Sequence, residues 1–438
     1  MHIHHNRPPD IHGSALLASL IAIGILSMIL ASYLAMSQRQ SVSVARSQAW
    51  NAAIAVAEGG VEEAMAQLNR GVGSGALNLA ANGWELKAGG NYGPQQRRYL
   101  GSNYYEVVIV PGAKPVIFST GYTAAPFGSA PISREVQVNT SSNAALFAVA
   151  MAAKEKIDFK GFNTATDSFD SDNPDFSTNG RYDAARTRDK GNVASTLGLL
   201  NVGNAKIKGK VQTGPTGSSD VGSGGSVGSA AWVNAGNAGI EPGWSANDFN
   251  VDFPDVLEPF SGGGLSPVSG PVGATNYIYV LGSDNYLMTS LTLKSKDIMY
   301  VNGNAVLYVT GDVLMQGSGN SASQIIIASG ASLAIYVGGA SAVFTQVNNQ
   351  GNAKTFSYYG LPANTSVSFG GNAAFIGTIY CPNADFTIGG GGNDVYDFEG
   401  SVMAKTIKVN GHYNFHYDES LARTGPSFGY VATSWKEL

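Results

Sequence analysis

The chain has 438 residues, 44% hydrophobic and only 13% charged, with 56 glycines and a formal net charge of −5. This length exceeds one average domain, and mild acidity without a basic face speaks against a nucleic-acid partner. Plentiful glycine, with Asn, Ser and Thr supplying most of the polarity, suits short strands and tight turns and not a helical bundle.

Between Asp10 and Arg39 there is no Asp, Glu, Lys or Arg, and Ser14 to Met36 is apolar on every face. A helix of that length rises about 35 Å, enough to cross a hydrocarbon core of about 30 Å. The run is too long for a cleaved secretory signal, and good helix formers follow it without a breaker. Trp50, Ala53, Ala57, Val61, Ala64 and Leu68 recur at three- and four-residue spacing, giving one weakly apolar face, while Glu58, Glu62 and Glu63 point elsewhere. One long helix over about 14–70 is expected, half membrane-embedded and half protruding, with Gly59 and Gly60 as a place for a bend. Arg7 on one flank and Arg39 and Arg46 on the other decide little about orientation. The large Asn/Gly-rich region behind a short leader favours an inner-membrane anchor with the N-terminus inside and the bulk of the chain outside the cytoplasm.

The leader ending at Gly13, the apolar run GSALLASLIAIGILSMILASYLAMSQRQ and the following AWNAAIAVAEGGVEEAM are similar to the PilX-type pilus-assembly N-terminal region, a minor-pilin-like family. The resemblance implies cleavage by prepilin peptidase between Gly13 and Ser14, and other pilin-like subunits as partners. Ala18 then occupies the fifth mature position, where major pilins carry a glutamate, so a minor subunit is implied and not the main filament subunit.

After Arg70 the character changes to β. Asn103–Val110, Val116–Tyr122 and Arg134–Asn139 read as strands, giving a small β-unit over 71–142. From Asn143 short apolar strands alternate with Gly/Asn corners, including stretches at 205–211, 297–301, 305–309, 332–337, 367–369, 374–380, 386–388, 400–403 and 406–410. Strand plus turn at roughly 20-residue spacing predicts a right-handed β-helix or solenoid-like domain over 143–422, with a β-sandwich as the competitor and 423–438 as a C-terminal tail. The fold class expected is therefore mainly β with a long N-terminal α-helix.

Ala165–Ser171, Val211–Gly217 and Phe375–Ala384, closed by Gly400–Gly411 and His416–Glu419, resemble an uncharacterised extracellular domain that often follows PilX-type helices. That resemblance covers about 145–422. It implies a surface module and brings no catalytic residues.

Asp167, Asp170, Asp172 and Asp175 fall within nine residues, a carboxylate density that suits calcium and makes them candidate ligands. The spacing is not that of an EF-hand, and a solvated Asx-rich turn is the preferred explanation over calcium. His412, His416, Asp418 and Glu419 read as a hydrogen-bonded cap on the last coil, since histidines four apart share a face only on a helix. Gly224–Gly228 fits G-x-S-x-G, but its Gly/Ser tract shows no strand before it and no helix after it. The lone Cys381 lies in an apolar stretch and is expected to be a buried thiol. Tyr277, Tyr279, Tyr300, Tyr308, Tyr336, Tyr358, Tyr359 and Tyr380 are either packing between coils or a face for a surface polysaccharide or protein ligand. A membrane-tethered polysaccharide lyase is the enzymatic rival. It would need basic residues beside the aspartates, none is legible there, and no enzyme activity is expected.

Overall fold

The computed structural model describes residues 12–69, 83–112, 114–125, 130–142, 145–160, 164–260, 262–370, 373–389, 394–410, 413–424 and 430–438. The described chain is mainly β with one long N-terminal helix, and its strands do not close into a barrel. Two compact units divide it: residues 1–66, 79–141 and 432–438 form the first, and residues 67–78 and 142–431 the second.

Helix α1 spans His12–Leu68, all but its last two residues belonging to the first unit. Its N-terminal half is apolar and bare, with an 18-residue window of mean hydropathy 2.4 and no buried share. Among the described residues it is the one helix long and apolar enough to cross a membrane. Two of its hydroxyls bond within the helix: Ser19 Oγ donates to the Leu16 carbonyl at 2.9 Å and Ser41 Oγ to that of Ser37 at 3.0 Å. Such back-bonding removes the cost of an unpaired hydroxyl in lipid.

The second half of α1 is amphipathic in the expected sense. Ala53, Val56, Ala57, Val61, Ala64 and Leu68 are buried, whereas Trp50 is half exposed. The partner is an antiparallel sheet containing Asn103–Val110, Val116–Thr123 and Ile132–Ser142. Alternation puts Tyr105, Val107, Ile109, Ile117, Val136 and Val138 on the helix side. Two sheet hydroxyls bond to α1 carbonyls, Ser119 Oγ to Ala57 at 2.8 Å and Thr123 Oγ1 to Ala49 at 2.9 Å.

Two glycines set how closely helix and sheet approach. A Cβ on Gly60 would sit 2.2 Å from Ser119 Oγ, and one on Gly121 would sit 2.1 Å from the Ala53 carbonyl oxygen. Gly59–Gly60, a place where a bend was possible, lies inside a continuous helix, and Gly60 provides contact room there. Glu63 does not point away from the sheet. It accepts from Trp84 Nε1 at 2.9 Å, Arg98 Nε at 3.1 Å and Tyr105 Oη at 2.6 Å.

The chain leaves this sheet after Ser142 and returns to it at the strand Tyr430–Glu437, so the second unit is inserted between two neighbouring strands. The segment read as a C-terminal tail thus ends as an edge strand. Leu438 N–H donates to the Glu135 carbonyl at 3.0 Å, and Arg134 pairs with Glu437.

The second unit is built from parallel ladders in sheets of 21 and five strands, with one antiparallel pair at the edge of the smaller sheet. Register partners stack one inward residue per strand: Tyr286, Leu307, Ile335, Tyr358, Ile379, Val402, Met151, Val193 and Val211. All nine lie in one core cluster. A second file is aromatic, with Phe375 on Phe398 and Phe398 on Phe415 at centroid separations of 4.6 and 4.7 Å. Such files stack apolar side chains at the strand spacing, so each strand covers the apolar face its neighbour leaves bare.

Spatial order departs from chain order at one place. The long strand Tyr396–Val409 pairs with Met151–Phe159, and Tyr413–Asp418 pairs with Ala165–Phe169. The last strands of this unit therefore meet its first ones in mid-ladder. A seam closed by residues about 250 positions apart joins its two halves.

Candidate functional site

The seam carries the densest group of charged side chains. Register places His416 directly opposite Asp167 on one side and Glu399 on the other. His416 is buried, with Nδ1 2.6 Å from Asp167 Oδ1 and Nε2 3.1 Å from Asp397 Oδ1. The Tyr182 ring stacks on the imidazole at 3.4 Å between centroids, and its hydroxyl donates to Asp167 Oδ2 at 3.2 Å. Burial works against the imidazolium, but the bonds to Asp167 and Asp397 outweigh it and raise the His416 pKa above its ordinary value. The His416 bond in turn lowers the Asp397 pKa against the opposing effect of burial. The group holds a proton between two carboxylates.

Around this centre Glu399 and Glu419 each have their own cation. Arg181 pairs with Glu399 at 3.3 Å and donates to the carbonyls of Asn349 and Gly351. Lys190 and Arg188 reach Glu419 at 2.8 and 3.2 Å, and Ser168 Oγ donates to it at 2.9 Å. Asp418 Oδ1 accepts the backbone N–H groups of Ser171 and Ser420. His416 and Glu419 are thus part of the mid-ladder seam and not a cap on a terminal coil. His412 lies outside the described residues.

The four candidate calcium ligands do not converge. Asp167 sits in the strand Ala165–Phe169 and turns to His416, while Asp170 bonds Arg423 Nη2 at 2.7 Å. Asp172 bonds Lys354 Nζ at 2.5 Å, and the Asp175 N–H donates to Asn173 Oδ1 at 2.9 Å. Burial pushes Asp170 up, but Arg423 and the Asp172 N–H more than offset this and lower its pKa. Among the described residues, no group of three or more His, Cys, Asp or Glu side chains is placed to hold a metal ion. The expectation that no basic residue accompanies these aspartates is corrected by Arg423, Lys354 and Lys208, the last 3.9 Å from Asp167. They come from a distant short helix, a 3-10 turn of helix and a neighbouring strand, so spacing gave no signal for them. The same holds for Asp397, whereas Arg181 and Tyr182 follow the aspartate run within a few residues and are missed by sequence reasoning.

The other motifs resolve simply. Ser226 of the G-x-S-x-G match lies in the short strand Ser226–Gly228, and the five-residue helix Ala230–Asn234 does follow, capped by Ser229. The Ser226 hydroxyl is fully buried without a hydrogen-bond partner, out of reach of a substrate. Cys381 is a buried free thiol whose pKa burial pushes up. Gly13 and Ser14 lie in the first turn of α1. Tyr336, Tyr358, Tyr359 and Tyr380 are buried, Tyr277 and Tyr300 half-buried and stacked at 4.7 Å.

A family model described as a domain of unknown function (DUF7305) matches residues 279–424, less than half of the chain. No curated protein matches it. Among solved structures, the crystal structure of the competence-associated pilin ComZ from Thermus thermophilus is similar at 11% identity, covering 88% of this chain and 96% of that one. The TM-score is 0.24, a likeness too remote to carry an argument about function.

Proposed function

We propose that this chain is a membrane-anchored, minor-pilin-like subunit of a type IV pilus or pseudopilus system. Its inserted unit is a non-enzymatic β-solenoid, displayed outside the inner membrane for adhesion, assembly priming or scaffolding. The observation that carries the reading is the division of α1: a bare apolar half long enough for a bilayer, then a half seated on an antiparallel sheet through Ala53, Ala57, Gly60 and Ala64. A helix built this way leaves a membrane for a filament core without changing its fold, because neither half needs the other's partner.

Parallel ladders in continuous register support a solenoid over a sandwich, whose sheets are antiparallel. A right-handed coil follows the general rule for parallel crossovers. The ion pairs of Glu399, Glu419 and Asp170 support a structural role for that cluster. Filament entry is tested by shearing surface appendages from cells and probing the filament fraction for this chain. The expected result is a minor band that disappears when the major subunit is deleted. Retention of all the protein in the membrane fraction of filament-bearing cells contradicts filament entry.

A further inference from the structure

The five-stranded sheet of the inserted unit turns one face outward, and that face is neutral. Register pairs Ile298 with Gln324 and Gln324 with Gln346 in one row, and Val280 with Tyr300, Ile326 and Asn348 in the next. The alternate residues Met299, Val301, Ile325, Ile327 and Val347 are buried in the core, which fixes these two rows on the outer side. The rows thus run from an apolar end at Ile298, Tyr300 and Ile326 to an amide end at Gln324, Gln346 and Asn348. None of these side chains is charged.

At the amide end the ladder stops. The strand Gln346–Asn349 pairs with Gln324–Ile327 alone, and Ala373, Ala374 and Ile376 stand across an open cleft of about 380 Å³. Arg181 lines the cleft but is neutralised by Glu399. Gln324, Gln346 and Asn348 make no side-chain hydrogen bond with another described residue. Gln324 and Gln346 are partners on neighbouring strands, about 4.8 Å apart, and Asn348 follows two residues after Gln346 on the same strand and the same face.

We infer that this cleft and the adjoining face bind a neutral, hydroxyl-rich oligosaccharide. A side-chain amide both donates and accepts, as a sugar hydroxyl does, so repeated amides match repeated hydroxyl pairs where a carboxylate or ammonium matches only half of them. Tyr300, with one ring face stacked on Tyr277 at 4.7 Å, and Ile326 leave apolar surface on the outer side against which the C–H face of a pyranose can pack. The absence of charge on the face selects a neutral glycan over a uronic acid polymer. The inference deepens the adhesion role and rests on the inserted unit lying outside the cytoplasm.

The test is a glycan array of neutral and uronic-acid oligosaccharides probed with the full chain in detergent micelles. Titration calorimetry with cellohexaose, chitohexaose, maltohexaose and hexagalacturonate follows. A neutral hexasaccharide is expected to bind saturably. Gln346→Ala is expected to weaken it by about three- to tenfold with unchanged thermal unfolding, since one hydrogen bond is lost, and Tyr300→Ala by about the same factor with a lowered melting transition, since its ring also stacks on Tyr277. No neutral glycan bound, acidic glycans bound alone, or affinity unchanged in both variants overturns the inference. Scoring filament entry in the same strains keeps a failure of glycan binding distinct from a failure of the pilin-like reading.

Discussion

Replacing His416 with glutamine is expected to destabilise the inserted unit by about 3 kcal/mol at pH 6, as removing one member of a buried charged group does. His416 closes the seam at which Tyr413–Asp418 meets Ala165–Phe169, and glutamine cannot carry the proton shared with Asp167 and Asp397. The loss depends on pH with a defined sign. A histidine whose folded pKa is raised contributes stability in full below its unfolded value of about 6.5, and the contribution fades as pH rises through the folded value. Asp397, lowered from 3.8, contributes above that value and loses its share as pH falls through the depressed one. The two windows overlap between about pH 4 and 6.5, so the gap between native chain and variant is widest there and narrows toward pH 9. Denaturant unfolding at pH 6 and pH 9 reads both numbers. An equal loss at the two pH values would show that the histidine acts by shape alone.

Gly121→Val is expected to cost the first unit at least 3 kcal/mol, at the upper end for point substitutions. Even its first added carbon would lie 2.1 Å from the Ala53 carbonyl oxygen and 2.4 Å from the Ala57 amide nitrogen. These are backbone atoms of α1 and cannot rotate aside, so helix and sheet must separate. Separation exposes Ile117, Val136 and Val138 and breaks the bonds of Ser119 and Thr123 to the helix. Limited proteolysis and the near-ultraviolet signal of Trp84, buried against Glu63, report the loss directly. An unchanged melting transition in this variant would mean that the contact between α1 and the strand Val116–Thr123 is not formed as described.

The legible parts of the fold are those written locally. The apolar run and the three- and four-residue spacing of Ala53, Ala57, Val61 and Ala64 announce α1, and Ser332–Val337 declares itself by alternation between turns. Met151–Phe159 is illegible because Lys154, Glu155 and Lys156 interrupt it. Only the structure shows these three outward between two buried triplets. Mid-ladder closure of the seam could not be read at all, since strand pairing across about 250 residues leaves no periodic mark. For the same reason the aspartate run was visible but its meaning was not. Asp167 belongs to a strand and the next three to the turn beyond it, and their cations arrive from Lys354 and Arg423. The lesson for Glu63 is similar. Its position off the apolar stripe says nothing of Trp84, Arg98 and Tyr105, which the first unit's sheet brings to it.

The central claim is that α1 enters the pilin-like assembly pathway through its N-terminus. The mass of the mature N-terminal peptide, from cells with and without prepilin peptidase, tests it most directly. A peptide that begins at Ser14 only when the peptidase is present is the predicted result. A terminus still carrying the leader through Gly13 in both strains would contradict it and leave an ordinary single-span anchor.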